Sequence, residues 1–225
     1  MGAAGGKAFT VIGGQPMVLY ALRTLAQLPD LVSIVLAVSA DHHEQAAVLL
    51  AHSGPWAAPV VLARGGAERQ DSVAAGLALV DTTADLIIVH DAARPFVSLS
   101  CFEACVASAA YHGAAIVALP AHDTIKVVNA AGEITATLDR RTIWLAQTPQ
   151  AFHANLLRRA YARAQADSCA ATDDAMLVER LGATVHVVPG SSQNRKITTP
   201  EDREWAESYV ASQRIEPSSS LRSST

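Results

Sequence analysis

Short, almost continuous apolar runs alternate along this chain with stretches in which apolar residues recur every three or four positions. Residues 32–38, 59–63, 85–90 and 114–119 are of the first kind. A run of that length with little polar alternation is what a strand shows when both its faces are covered, as in a parallel sheet. Val18, Ala21, Leu22 and Leu25 share one helical face, and so do Val73, Leu77 and Val80. Strands separated by helices of this length predict an α/β fold with a doubly wound, Rossmann-like sheet and right-handed crossovers.

The pattern changes after Pro120. Residues 123–128 and 133–138 alternate polar with apolar around the turn Asn129-Ala130-Ala131-Gly132. This predicts a half-exposed hairpin, an arm over about 122–142 that is either a surface hairpin or a dimer contact. A helix is expected from near His153 to Ala166, then another with Thr172 as N-cap and Asp173 and Asp174 in its first turn. A strand follows at 184–188, and a last helix opens at Thr199-Pro200. One domain over 1–214 is expected, with a Ser-rich, disordered tail at 215–225.

Composition narrows the classes. Half of the 225 residues are hydrophobic and 17% are charged, which excludes a disordered chain. The net charge of −4 argues against a nucleic-acid binder. No apolar run reaches the roughly 18 residues of a membrane span, and the N-terminus lacks the pattern of a secretory signal. Three cysteines, Cys101, Cys105 and Cys169, make no disulfide framework, so reduced thiols in a cytoplasmic protein are expected.

Ligands of open α/β sheets bind beyond the carboxyl ends of strands. That rule selects His90-Asp91-Ala92-Ala93-Arg94-Pro95, which directly follows an apolar strand. A carboxylate there, beside an anionic ligand, suits Mg²⁺, which takes oxygen ligands from protein and phosphate together; the alternative is that Asp91 caps the loop. Gly65-Gly66-Ala67-Glu68-Arg69-Gln70-Asp71-Ser72 runs from a strand end into a helix, where close backbone approach to an anion or acceptor is possible. Thr148-Pro149-Gln150 is either a ligand contact or a helix entry capped by Thr148. Arg195 and Lys196 alternate on an extended segment, so one can face a ligand while the other faces solvent. Arg140 and Arg141 close the hairpin, as solvated charges or as cations that reach a phosphate in a partner subunit.

Taken in order, Gly65-Gly66 with Arg69 and Asp71-Ser72-Val73, His90-Asp91-Ala92-Ala93-Arg94-Pro95, Asp123-Thr124-Ile125-Lys126, Thr148-Pro149-Gln150, Thr172-Asp173-Asp174-Ala175 and Lys196-Ile197-Thr198-Thr199-Pro200-Glu201-Asp202 closely resemble the 2-C-methyl-D-erythritol 4-phosphate cytidylyltransferase family over about residues 1–209. The resemblance implies a nucleotidyltransferase sheet and transfer of a cytidylyl group from CTP to the phosphate of methylerythritol phosphate, in isoprenoid precursor synthesis. It implies Lys7, Arg140 and Lys196 as catalytic cations and Asp91 as the Mg²⁺ ligand. Gly66, Ala67, Ser72, Asp91 and Ala92 would bind the nucleotide. Arg94, Thr124, Thr148, Lys196 and a partner subunit's arm residue Arg140 would face the second substrate. It also implies a homodimer joined by the arm.

The ribitol-5-phosphate cytidylyltransferases are the nearest family with another substrate, and the Asp91-Ala92-Ala93-Arg94 wording leans away from them. The family opens with a strand and a loop of the form A-A-G-x-G-x-R. Here Lys7 follows Gly6, and Phe9, Val11, Gly13, Gly14 and Pro16 match the segment after that loop. On this basis Ala3-Ala4-Gly5 is spacer, and the chain starts after the loop. Weak turnover and marginal stability are then expected, or a dimeric protein of this fold without turnover.

Overall fold

The apolar runs become strands and the three-and-four repeats become helices in the computed structural model, which describes residues 6–215. Ala3-Ala4-Gly5 and residues 216–225 lie outside the described residues. After a 3-10 turn at Lys7–Phe9, a small hairpin pairs β1 (Val11–Ile12) with β2 (Gln15–Pro16). Its turn, Gly13-Gly14, has positive φ at both residues, which suits glycine. Then come α1 (Val18–Leu25), β3 (Ile34–Val38), α2 (His43–Ser53), β4 (Val60–Arg64), α3 (Arg69–Leu77), β5 (Leu86–Val89), α4 (Leu99–His112) and β6 (Ala114–Pro120). The arm is β7 (Lys126–Val128) and β8 (Ile134–Thr137). β9 (Trp144–His153), α5 (Ala154–Ala166), α6 (Asp174–Glu179), β10 (His186–Pro189) and α7 (Pro200–Ile215) complete the described chain.

Local sequence sets several boundaries. Ser98 caps α4 by accepting from the Cys101 amide, and Gly113 ends that helix with φ 93°. Glu68 and Asp71 form a reciprocal capping box at the start of α3. The cap before α6 is Asp173, which accepts from the Met176 amide, and not Thr172 as the sequence suggests. Asp173 supplies a carboxylate at the positive end of the helix, where a threonine supplies only a hydroxyl. The last helix runs on through Ile215, the first residue of the expected tail.

The main sheet has the order β10-β6-β9-β5, and β3 pairs with β4 in a separate parallel ladder. β6 and β10 are parallel, whereas β9 runs antiparallel to both of its neighbours. The sheet is therefore mixed, not uniformly parallel. β9 is also the largest departure from expectation, because Thr148 enters no helix. It lies inside a ten-residue strand. Gln147, Thr148 and Gln150 are buried there, and these polar residues hide the strand's apolar pattern.

The sheet is covered on both faces. Phe152 of β9 packs with Leu157 and Tyr161 of α5, Leu177 and Val178 of α6, and Leu77 of α3. Its neighbour Ala151 points the other way, into a cluster with Phe102 and Cys105 of α4 and Val117 of β6. A third cluster joins Val18 and Leu22 of α1 to Leu36 and Val38 of β3. A fourth ties Ile12 and Met17 to Ile197, Ala206 and Val210.

The arm contrasts with this core. Every residue of β7 and β8 is exposed, and Val127, Val128, Ile134 and Leu138 hold apolar surface in solvent.

Phe152 is fully buried at the centre of the larger cluster. Replacing Phe152 with Ala should lower stability by about 3–5 kcal/mol, because surrounding strands relax only partly around the vacated volume. A urea titration measures this as a lower midpoint at unchanged slope. A loss below about 1 kcal/mol would show that α5 collapses onto the gap.

Candidate active site

β5 ends at Val89, and the chain turns at once through His90 and Asp91, a turn closed by the Arg94 amide donating to the Asp91 carbonyl at 2.8 Å. The Asp91 side chain is only 15% exposed and meets two cations. The Arg69 Nε, from the first residue of α3, lies 2.9 Å from Oδ1, and the Lys196 Nζ, from the loop between β10 and α7, lies 2.7 Å from Oδ2. Burial pushes the Asp91 carboxyl up, but Arg69 and then Lys196 outweigh it and hold the group well below the usual carboxylate range.

Arg69 itself bridges two carboxylates. Its Nη2 lies 2.6 Å from Oδ2 of Asp174, whose side chain is fully buried. Burial would lower the guanidinium, but Asp174 and Asp91 outweigh it and raise it. On Asp91's other flank, the backbone of the Lys196 loop is pinned by the Ile197 amide donating to the Ala93 carbonyl at 2.7 Å. Arg195 points away from Lys196 and pairs with Asp202 at 2.6 Å while stacking on Trp205.

A second network sits under Asp91. The Arg94 carbonyl can only accept, so His90 Nε2 carries the proton it donates there, and Nδ1 then accepts from the Thr148 hydroxyl at 3.0 Å. The same hydroxyl accepts from the Asp91 amide at 3.0 Å. Burial pushes His90 down to about 4, which keeps the ring neutral in this arrangement.

Gln150 is the third support. Its Oε1 accepts from the amides of Asp174 and Ala175, and its Nε2 donates to Asp173 at 2.9 Å. Asn194 donates to Gln147 and to the Thr148 carbonyl, and the Arg94 Nη1 donates to the Asn194 carbonyl at 2.8 Å.

These groups enclose a cleft of ≈ 220 Å³ lined by Asp91, Arg69, Lys196 and Arg94, with Thr148 and Gln150 from β9. Four of the residues singled out from the sequence meet here: Asp91, Arg94, Thr148 and Lys196. The others lie outside this lining. Gly66, Ala67 and Ser72 form the turn and first helical residues before and within α3; a Cβ on Gly66 would meet that of Asp71 at 2.2 Å, so glycine is required there by the capping box. Ser72 Oγ accepts from the Gly66 amide and donates to the Glu68 carbonyl. Ala92 packs partly into the cluster around β3.

Lys7 is exposed in the 3-10 turn, and Thr124 and Arg140 are exposed on the arm, where Arg140 donates to the His122 carbonyl. Arg69 and Gln150 stood in the sequence only as members of longer candidate segments and Asp174 only as a helix-start residue, and none of the three was singled out for the site. A signal existed for Arg69, since an arginine at the first position of a helix opposes the helix dipole unless carboxylates surround it.

A larger groove of ≈ 450 Å³ between α3 and α5 has no such convergence of charge. Its one arginine, Arg158, is spent on the carbonyls of Leu77 and Val80 at the end of α3. The three cysteines are unpaired, and burial pushes Cys105 up to about 12. Among the described residues no cluster of His, Cys, Asp and Glu could hold a metal ion by itself, and no helix is long and apolar enough to cross a membrane.

The profile of the 2-C-methyl-D-erythritol 4-phosphate cytidylyltransferase family (IspD) matches residues 1–212. The enzyme of that name from Syntrophus aciditrophicus is 43% identical over 206 residues, covering 91% of this chain and 87% of that protein. The Acidobacterium capsulatum enzyme is 44% identical over 208 residues, covering 91% and 87%. This chain belongs to the 2-C-methyl-D-erythritol 4-phosphate cytidylyltransferase family. It is similar in structure to the Thermus thermophilus cytidylyltransferase, with a TM-score of 0.79 at 34% identity, covering 93% of this chain and 96% of that one. It is also similar to the 4-diphosphocytidyl-2C-methyl-D-erythritol synthase of Anaerococcus prevotii, with a TM-score of 0.85 at 28% identity and coverage of 93% and 95%. The cleft at Asp91 is therefore the candidate active site of a cytidylyltransferase.

The two titrating groups at this cytidylyltransferase site set the direction of its acid response. His90 titrates near 4 when folded and near 6.5 when unfolded, so the unfolded chain takes up the proton first. Stability of the metal-free protein should fall as pH drops from about 6.5 towards 4. Asp91, depressed when folded, adds a further loss as pH falls through and below the ordinary carboxylate range. Denaturant midpoints across this window measure the slope, and His90→Asn should flatten its upper part. An unchanged slope in that variant would remove His90 from the acid response.

Proposed function

We propose that the cleft around Asp91 transfers the cytidylyl group of CTP to 2-C-methyl-D-erythritol 4-phosphate. An oxygen of the alcohol's phosphate forms a bond to the α-phosphorus of CTP, the bond to the bridging oxygen breaks, and pyrophosphate leaves with that electron pair. One anion attacks another, so neutralising charge and aligning the two phosphates matter more than proton transfer. The observation that carries this proposal is an ionised carboxylate at the end of a buried strand, held between one cation anchored in the core and one on a loop.

The donor set fits Mg²⁺ held jointly with phosphate. Mg²⁺ sites of this kind use one or two carboxylates and complete the shell with phosphate oxygens and water. Asp91 offers one such carboxylate, and its Oδ2 is covered only by the half-exposed Lys196. When bound, Mg²⁺ would neutralise charge on the triphosphate. Lys196, released from Asp91, would then hold the attacking phosphate, together with Arg94 beside it. Lys7 would offset charge on the triphosphate. The backbone around Gly66, Ala67 and Ala92, with Ser72, would approach the cytidine, and Thr148, with its hydroxyl already bonded to His90, would shape the wall facing the second substrate.

The arm supports a homodimer. Val127, Val128, Ile134 and Leu138 expose an apolar face that a second copy would cover, and two-fold pairing satisfies such a face symmetrically. Arg140 and Thr124 on that arm would then serve the partner's cleft. The unpaired cysteines suit a reducing cytoplasm.

Asp91→Asn should leave the fold intact and reduce Mg²⁺-dependent pyrophosphate release with CTP and methylerythritol phosphate by about 100-fold or more. Activity within about tenfold of the parent would remove Asp91 from the metal role. Ribitol 5-phosphate in the same assay should be a poor acceptor.

Subunit mixing tests the arm. Asp91→Asn and Arg140→Ala chains should each be nearly inactive. Refolded together in equal amounts, they should regain about a quarter of parental activity, since half the two-fold dimers would carry one complete site. No recovery would place Arg140 in its own subunit's chemistry.

A further inference from the structure

Asp174 has a polar neighbourhood that neither capping nor packing explains. Its side chain is fully buried, and its two oxygens divide between two partners from different elements. Oδ2 accepts from the Arg69 Nη2 at 2.6 Å, and Oδ1 accepts from the Tyr161 hydroxyl of α5 at 2.5 Å. A buried carboxylate needs such partners, but a buried polar chain of this kind is often replaceable by apolar groups without loss of stability. The chain does not stop at Asp174. It continues through the Arg69 Nε to Oδ1 of Asp91 at 2.9 Å, at the mouth of the cleft.

The two cations on Asp91 are not equivalent. Arg69 is fixed at both ends of its guanidinium, and moving it would strand the buried Asp174 charge. Lys196 has one ion-pair partner and a side chain 42% exposed, so it can leave for a phosphate and be replaced by water. Once it leaves, only Arg69 keeps the orientation of Asp91 from changing. Arg69 in turn is aimed by Asp174, and Asp174 by Tyr161.

We propose that Tyr161 and Asp174 are positioning residues for cytidylyl transfer, acting through Arg69 to keep the Asp91 carboxylate turned into the cleft when Lys196 lets go of it. This rests on the role given to Asp91 above. Neither residue touches substrate. Tyr161 removes the freedom of Asp174 to rotate, and Asp174 fixes the plane of the guanidinium, so that one oxygen of Asp91 stays engaged while the other is free.

A double-mutant cycle tests the coupling. Tyr161→Phe keeps the ring in its apolar cluster and removes only the hydroxyl; Asp174→Asn keeps the shape and removes the charge. Each is made alone and together with Asp91→Asn, and turnover is followed with radiolabelled CTP so that residual rates are measurable. Tyr161→Phe should lower kcat about tenfold, and Asp174→Asn about 100-fold, with the KM for methylerythritol phosphate changed less than about twofold. In the Asp91→Asn background either change should cost less than about twofold more, because its route to the reaction is already cut. The same fold-loss in both backgrounds would overturn the proposal, as would a loss confined to KM.

If Asp174→Asn fails to fold, the Tyr161→Phe cycle decides alone, with its unfolding midpoint confirming a native protein. Should Asp91→Asn itself remain active, the role of Asp91 falls and this proposal falls with it. That outcome differs from the multiplicative one, in which Asp91 matters and the Tyr161–Asp174 pair does not act through it.

Discussion

A carboxylate withdrawn from water stays ionised only if cations replace the hydration it loses, and at Asp91 they come from two directions. Arg69 arrives from the start of α3 and Lys196 from the loop before α7. Much of the local architecture follows from bringing them there. The capping box of Glu68 and Asp71 sets where α3 begins and therefore where Arg69 points. The Ile197 amide bond to Ala93 and the Asp202 bonds to the amides of Thr198 and Thr199 hold the Lys196 loop against the strand end. Asp174 at the start of α6 balances the second face of Arg69. Four segments distant in sequence are thus tied through one charge centre, and a buried pair missing one member is strongly destabilising.

The strands and helices that bury one continuous apolar face were legible in the sequence, because their periodicity is local. β3, β5 and β6 are short apolar runs, and α1 and α5 repeat at helical spacing. β9 was not legible. Gln147, Thr148 and Gln150 interrupt its apolar pattern, and their partners come from Ser191, Asn194, His90, Asp173 and Asp174. Polar residues buried by long-range hydrogen bonds look like loop when only their neighbours in sequence are considered.

The same division holds at the site. Asp91 was legible because it stands at the carboxyl end of an apolar strand, where open α/β sheets bind ligands, and Lys196 because it alternates with Arg195 on an extended segment. Arg94 stood in the same strand-end segment as Asp91 and Thr148 in a candidate ligand contact, motif resemblance gave both their place facing the second substrate, and both line the cleft. Asp174 was legible only as a helix-start residue. Its role depends on Tyr161, thirteen positions earlier, and on Arg69, 105 positions earlier, and no pattern of spacing announces either pairing. Gly66 shows the converse. Its place in a glycine pair is visible in the sequence, but the Asp71 atoms that a Cβ there would meet are brought to it by the fold.

The placement of charge also explains why the site holds one rigid and one loose cation in place of two alike. On the metal role proposed for Asp91, two anchored cations would hold it firmly but occupy both of its oxygens. Two loose ones would let the carboxylate turn away whenever both were drawn to phosphate, at the moment its direction matters most. Anchoring needs a fully buried counter-charge, and Asp174 provides it on the Arg69 side, where α5 and α6 close off water. Looseness needs solvent and a flexible stem, and Lys196 has both on the opposite side. Arginine and lysine are therefore not interchangeable between these two positions. The planar fork of Arg69 spans two carboxylates at fixed angles, whereas the ammonium of Lys196 can follow a phosphate through a range of positions without losing its charge interaction.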